Sequence, residues 1–140
     1  LFLNARSLKD KIWELQEYIE ALETRPRIIC VNETFNNESV TDAQISIEGY
    51  VMIARRDGKD TEGGRCRGLV IYTQEGLGAV STHHRGEEDV VEAASIEIIW
   101  GGGTKLTICQ VYRKQNDVAN TIKLLEYLAR LSEQTLTVGD

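Results

Sequence analysis

Blocks of apolar and polar positions succeed one another along the chain, and each block predicts an element. Leu8, Ile12, Leu15, Ile19 and Leu22 recur at steps of four and three, which is one face of an amphipathic helix. Ser7 followed by Asp10 resembles a capping box at its start. Pro26 stands beyond its end, where a helix cannot continue. Ile28, Ile29, Cys30 and Val31 form an unbroken apolar run, so a strand buried on both faces is predicted over 27–32. Residues 36–44 are polar and turn-like. A strand is predicted over 50–55, a strong one over 69–73 and a weaker one over 78–82. Gly58, Gly63, Gly64 and Gly68 predict a mobile loop over 57–68.

The second half is more regular. Ile96, Ile98 and Trp100 share one face of a strand over 95–100, and Leu106, Ile108, Gln110 and Tyr112 share one face of a strand over 105–112. Gly101, Gly102, Gly103 and Thr104 between them predict a hairpin. Asp117 is placed to cap a second helix, with Val118, Ile122, Leu125, Leu128 and Leu131 as its inner face. Another strand begins at 135. Helices near both ends, with hairpins between, predict an α/β (α+β) domain with a mixed, largely antiparallel sheet system covered by helices. No internal repeat, linker or low-complexity tract interrupts it.

Composition narrows the setting. The chain has 140 residues, enough for one domain with a core. No apolar run approaches the roughly 18 residues that span a bilayer, so no membrane association is expected. The start resembles no signal peptide and lacks an initiator Met, which reads as a piece of a longer protein. Cys30, Cys66 and Cys109 form no C-x-x-C pair, and Cys30 and Cys109 lie in apolar runs as core thiols do, which fits a reducing, intracellular compartment. A net charge of -6 argues against broad electrostatic binding to nucleic acid. The stretch from Arg55 and Arg56 to Arg67 is locally basic. His83 and His84 are adjacent, so on a strand they would point to opposite faces and make a poor metal pair; they read as exposed loop-edge residues.

Four polar residues stand where predicted strands end: Asn4, Glu33, Tyr112 and Asp140. Strand ends of α/β sheets are where ligand sites form, because the sheet fixes direction and the end stays open. A hard cation such as Mg²⁺ takes oxygen ligands, commonly one or two carboxylates with water and a substrate phosphate. Glu33 and Asp140 offer carboxylates, Asn4 an amide, and Tyr112 a phenol that can donate to a phosphate oxygen. Each residue alone has an ordinary explanation as a cap, a solvated loop residue or a packing aromatic.

Several short strings occur in a fixed order: Asn4-Ala5-Arg6-Ser7-Leu8, Ile29-Cys30-Val31-Asn32-Glu33-Thr34, Ser46-Ile47-Glu48-Gly49-Tyr50, Gly68-Leu69-Val70-Ile71-Tyr72, Val111-Tyr112-Arg113 and Val138-Gly139-Asp140. In this order they resemble the endonuclease/exonuclease/phosphatase superfamily, and within it the apurinic-type endonuclease domain of non-LTR (LINE-type) retrotransposons. The resemblance covers nearly the whole chain. It implies a four-layer α/β sandwich of which residues 1–140 are the N-terminal portion, the C-terminal portion following after Asp140. It implies Mg²⁺ (or Mn²⁺) held at Glu33, a phosphate oriented by Asn4 and Tyr112, and Asp140 acting on the attacking water. Arg6, Arg113, Arg55 and Arg56 are the basic residues expected to meet DNA. The parent protein would nick DNA in the nucleus, with a reverse transcriptase domain downstream.

The chain departs from that pattern at several points. Lys114-Gln115-Asn116 follow Val111-Tyr112-Arg113 where prolines are usual, and Arg65-Cys66-Arg67 interrupts the glycine-rich step. The Asn after the Gly-Asp pair, and the later Asp and His of such sites, would lie past residue 140. Two other readings stay open on the sequence: an inactive remnant or interaction domain, and the same fold acting on a phospholipid or an inositol phosphate.

Overall fold

A computed structural model of the protein describes residues 1–58, 67–82, 91–99, 102–113 and 117–140, and the backbone of 60–61 and 64–65. The sequence readings for Cys66, His83, His84, Trp100, Gly101 and 114–116 lie outside the described residues. Two four-stranded sheets pack face to face, and a helix covers the outer side of each. The first sheet has the order β1 (Phe2–Asn4), β2 (Ile28–Asn32), β6 (Leu69–Gln74), β3 (Tyr50–Arg56). The second has the order β10 (Thr135–Gly139), β9 (Lys105–Tyr112), β8 (Glu92–Ile99), β7 (Ala79–Thr82). β1 runs parallel to β2, and β10 parallel to β9, while the remaining pairs within the two sheets are antiparallel.

The apolar run in β2 is continuous because both of its faces are covered. Ile29 and Val31 join Leu8, Leu15 and Ile19 beneath α1 (Ile12–Glu20), while Cys30 points into the core between the sheets. β6 divides likewise, with Val70 and Tyr72 under α1 and Leu69 and Ile71 between the sheets. From the second sheet Ala94, Ile96, Ile98, Ile108 and Tyr112 fill that central layer. Its outer face, with Ala93, Cys109 and Val111, is covered by Leu124 and Tyr127 of α2 (Val118–Leu128). The result is four layers, helix-sheet-sheet-helix. Cys30 and Cys109 are buried thiols, and burial pushes Cys30 up to about 11.

Several local expectations are corrected. Ser7 does meet Asp10 at 2.5 Å, but side chain to side chain; the helix opens later, on a 3₁₀ turn at Lys9–Lys11. Ser7 sits at φ 86°, outside the geometry of an N-cap. The loop after β3 contains a two-residue hairpin, β4 (Asp60–Thr61) with β5 (Gly64–Arg65). The polar stretch before β3 holds a 3₁₀ turn, Asp42–Ile45, closed by a Thr41–Gln44 capping box. Helix α2 is capped by Asp117, which accepts from the Asn120 N–H at 2.9 Å. Its buried face is turned from the one expected. Leu124 and Tyr127 are buried, with Leu128 and Leu131 packed beside them, whereas Val118, Ile122 and Leu125 are exposed. Two stripes at helical spacing compete there. The register that brings Tyr127 over Cys109, hydroxyl to Sγ at 3.5 Å, is the one adopted.

Candidate active site

The parallel pairs β1–β2 and β10–β9 lie at corresponding edges of the two sheets, so the ends of four strands meet. Asn4 closes β1, and its Nδ2 donates to Asp140 Oδ2 at 2.7 Å, across 136 residues of chain. Asp140 follows β10, and its carbonyl accepts from the Arg113 N–H at 2.7 Å. Glu33 follows β2 and is buried; the Tyr112 hydroxyl, at the end of β9, donates to its Oε1 at 3.1 Å. The hydrogen bonds thus join Asn4 to Asp140 and Tyr112 to Glu33, each pair drawing one member from each sheet. Burial, and then the bond to Glu33, raises the Tyr112 phenol above its ordinary value, so it stays a proton donor at neutral pH.

Backbone geometry fixes Glu33. It adopts φ 54°, as do Phe35 at φ 52° and Arg6 at φ 49° nearby, a region costly for residues with a side chain. Three consecutive carbonyls, 32 to 34, are held by N–H groups of the segment after β1. Ala5 donates to Asn32 O, Ser7 to Glu33 O and Leu8 to Thr34 O at 2.9–3.1 Å. One residue earlier, Asn32 is fully buried between the sheets. Its Nδ2 donates to Val111 O at 3.1 Å, and its Oδ1 accepts from Gln110 Nε2 at 2.8 Å. That pair of bonds ties β2 to β9 beneath Glu33 and Tyr112.

The basic residues divide. Arg6 Nε lies 3.7 Å from Glu33 Oε2, and Arg67 Nη1 lies 3.7 Å from Glu33 Oε1. Arg55 is engaged inside the fold with Asp57 at 2.7 Å, Asp42 at 2.6 Å and the carbonyls of Asn37 and Val40. Arg56 Nη1 donates to Ala93 O at 3.4 Å. The Arg113 N–H serves Asp140, as above. Among the described residues no three His, Cys, Asp or Glu side chains gather as a metal cage. Of the four strand-end residues Glu33 is the buried carboxylate, and among the described residues its Oε2 receives no hydrogen bond. One carboxylate oxygen of this kind suits a cation that keeps water and substrate oxygens as its other ligands.

Compared by sequence, the chain matches no protein-family profile and no curated protein. Compared by structure, it matches the AP endonuclease LMAP from Leishmania major with a TM-score of 0.68 at 16% identity, over 99% of this chain and 53% of that one. It matches the APE2 catalytic domain from Xenopus laevis with a TM-score of 0.61 at 15% identity, over 99% and 56%. The 3′-5′ exonuclease NExo from Neisseria meningitidis gives 0.59 at 14% identity, over 99% and 56%. The chain has the AP-endonuclease fold. It spans about half the length of these structures.

Two residues of this AP-endonuclease fold at the cluster carry no obvious mark in the sequence. Arg67 lies over the Phe35 ring, 5.3 Å from its centroid, as well as beside Glu33. Glu92 starts β8 opposite Tyr112 and is buried, with Oε1 accepting from the Gly68 N–H at 2.5 Å. Burial raises its carboxyl above the usual value although backbone N–H groups of Arg67 and Gly68 and the charges of Arg56 and Arg67 pull the other way. Glu92 follows Val90-Val91 in the sequence much as Glu33 follows Val31-Asn32, which is the one signal that could have drawn attention to it.

Proposed function

We propose that residues 1–140 form the N-terminal portion of a metal-dependent DNA endonuclease domain, and that the protein nicks target DNA to leave a 3′-hydroxyl for reverse transcription. The observation that carries this reading is the meeting of Asn4, Glu33, Tyr112 and Asp140 at four strand ends through bonds that cross between the sheets. The fold is shared with DNA-processing enzymes, and a 3′ phosphatase NExo from Neisseria of the same fold was solved bound to a product DNA hairpin. The ordered strings around the four residues favour the retrotransposon group and DNA over a lipid or inositol phosphate. On the same reading the protein acts in the nucleus, with a reverse transcriptase domain further along the chain.

The site's own residues divide the work. Glu33 would hold Mg²⁺ or Mn²⁺, which when bound supplies charge stabilisation at the phosphoryl group. The Asn4 amide keeps a second N–H for a phosphate oxygen, and the Tyr112 hydroxyl would orient the phosphate by turning its one proton from Glu33 to a phosphate oxygen. Asp140 has one oxygen fixed by Asn4 and presents the carboxylate to the attacking water, taking its proton. The water oxygen bonds to phosphorus, the P–O3′ bond breaks, and the 3′ oxygen leaves with the electron pair and picks up a proton. Nicking of supercoiled plasmid in Mg²⁺ by the longer reading frame tests the reading, residues 1–140 alone being expected to show little or no activity. Glu33→Ala should lower the rate about a thousandfold or more; undiminished nicking by that variant overturns the assignment.

A further inference from the structure

Arg67, Phe35 and Glu92 border the cluster and have no role in the scheme above. We propose that Arg67 is a DNA-phosphate-binding residue of this site and that Glu92 is the positioning residue that sets it there. The proposal rests on the nuclease reading and names the cation that reading leaves unassigned.

The guanidinium of Arg67 is held on two sides, by the Phe35 ring and by Glu33 Oε1 at 3.7 Å, while 43% of its side chain remains exposed. Arg presents five N–H groups in a planar fork, so one face can stack and one edge can pair while others stay free for a phosphate oxygen. Arg6 flanks the other oxygen of Glu33 and is 82% exposed. Arg6 and Arg67 therefore flank the Glu33 carboxylate on both sides, where a phosphodiester would otherwise be repelled. In a chain of net charge -6, with Asp140 and Glu92 also at the cluster, these two guanidiniums are the groups that would draw a phosphate to this place. Arg55, by contrast, has its guanidinium committed to two carboxylates and two carbonyls.

The backbone below Arg67 shows why it stays in place. Arg67 O accepts from the Phe35 N–H at 2.8 Å, and Gly68 O accepts from the Thr34 N–H at 3.2 Å. Glu92 clasps the same two residues from the other side, accepting from the N–H groups of Arg67 and Gly68. Glu92 and Tyr112 are cross-strand partners in β8 and β9. A single residue pair thus sends one side chain to Glu33 and the other to the turn that carries Arg67. A carboxylate as buried as Glu92 is costly unless hydrogen bonds and nearby opposite charge compensate it, as the Gly68 N–H and the Arg56 and Arg67 guanidiniums do here.

Binding of a fluorescent DNA duplex in EDTA, titrated with salt, separates the claims. Arg67→Ala should weaken binding about tenfold and lower the salt slope by about one. Arg67→Lys should restore the slope but only part of the affinity. Glu92→Gln should weaken binding in the native background and have no further effect on top of Arg67→Ala, whereas a purely structural role would give equal losses in both. A thermal melt of each variant confirms that it is folded. If the native chain binds no DNA, the nuclease reading falls and this proposal with it. If the native chain binds DNA and Arg67→Ala binds with unchanged affinity and slope, only the Arg67 assignment is overturned. Equal losses from Glu92→Gln in both backgrounds overturn its positioning role.

Discussion

Gly68 allows the packing argument to be tested in energy. It adopts φ +85°, and a Cβ there would run into Thr34 Oγ1 and lie 3.1 Å from Arg56 O and 3.2 Å from Gly58 N. Gly76 adopts nearly the same backbone, φ +81°, with nothing within 4 Å of such a Cβ. Gly76→Ala therefore reports the left-handed backbone alone, about 1–2 kcal/mol. Gly68→Ala adds an overpacking cost of about 1–3 kcal/mol, since the two backbone atoms cannot turn aside. An unfolding entropy of about 2.1 cal/mol/K per residue gives roughly 0.29 kcal/mol/K for a chain this long. The expected falls in Tm are then about 5 °C for Gly76→Ala and about 10 °C or more for Gly68→Ala. Thr34→Ala in the Gly68→Ala background should recover about 1 kcal/mol relative to additivity, because it removes the nearest clash. Equal melting of the two glycine variants, or strict additivity with Thr34→Ala, would refute this account of the turn.

Three further outcomes follow from the described contacts. Asn32→Leu leaves Gln110 Nε2 and Val111 O without their partner, at a cost of about 3 kcal/mol in urea unfolding; a loss below 1 kcal/mol would show that the inter-sheet bonds contribute little. A carboxyl whose native pKa is raised, as burial raises Glu92 above 4.5, contributes stability that is full below its unfolded value and is lost as pH rises through the native value. The stability of the native chain relative to Glu92→Gln should therefore fall as pH climbs above that point, and a gap constant with pH would contradict it. On α2, Leu124→Ala should cost about 2–4 kcal/mol and Leu125→Ala under about 0.5 kcal/mol, with the reverse order restoring the helix face first expected.

Much of the architecture was legible because burial leaves a periodic trace. The unbroken apolar run in β2 predicted a strand covered on both faces, and the alternation in β9 predicted which of its side chains share one face, the one turned to the central layer; that β9 is covered on its other face too was not predicted. Helix α2 was not legible to that depth. Val118, Ile122 and Leu125 form an apolar stripe as regular as the one containing Leu124, Tyr127, Leu128 and Leu131, and periodicity cannot rank two good stripes. The choice depends on where the sheet lies. Arg67 and Glu92 were hidden for a related reason. Nothing local marks Arg67 apart from Arg65 two residues earlier, and its pairing with Glu33 exists only once the Gly68 turn is clasped between the 34–35 segment and Glu92. Asn4, Glu33, Tyr112 and Asp140 could be picked out as strand ends, but which of them touch is a property of how two sheets stack.

Gly139 shows how that stacking is written into the chain. It lies in β10 opposite Val111, at a backbone conformation open to any residue, so no turn requires a glycine there. What requires it is space: a Cβ would collide with the Val111 carbonyl oxygen and with Val111 Cγ2. The same carbonyl accepts from Asn32 Nδ2. One backbone oxygen of β9 is thus pressed by β10 on one side and bonded to β2 of the other sheet. Any side chain at 139 would lift β10 from β9, breaking the Arg113 N–H to Asp140 O bond and drawing the Asp140 carboxylate away from Asn4. The glycine before the aspartate is therefore a condition for its position. It lets β10 approach closely enough for a carboxylate of the second sheet to meet an amide of the first.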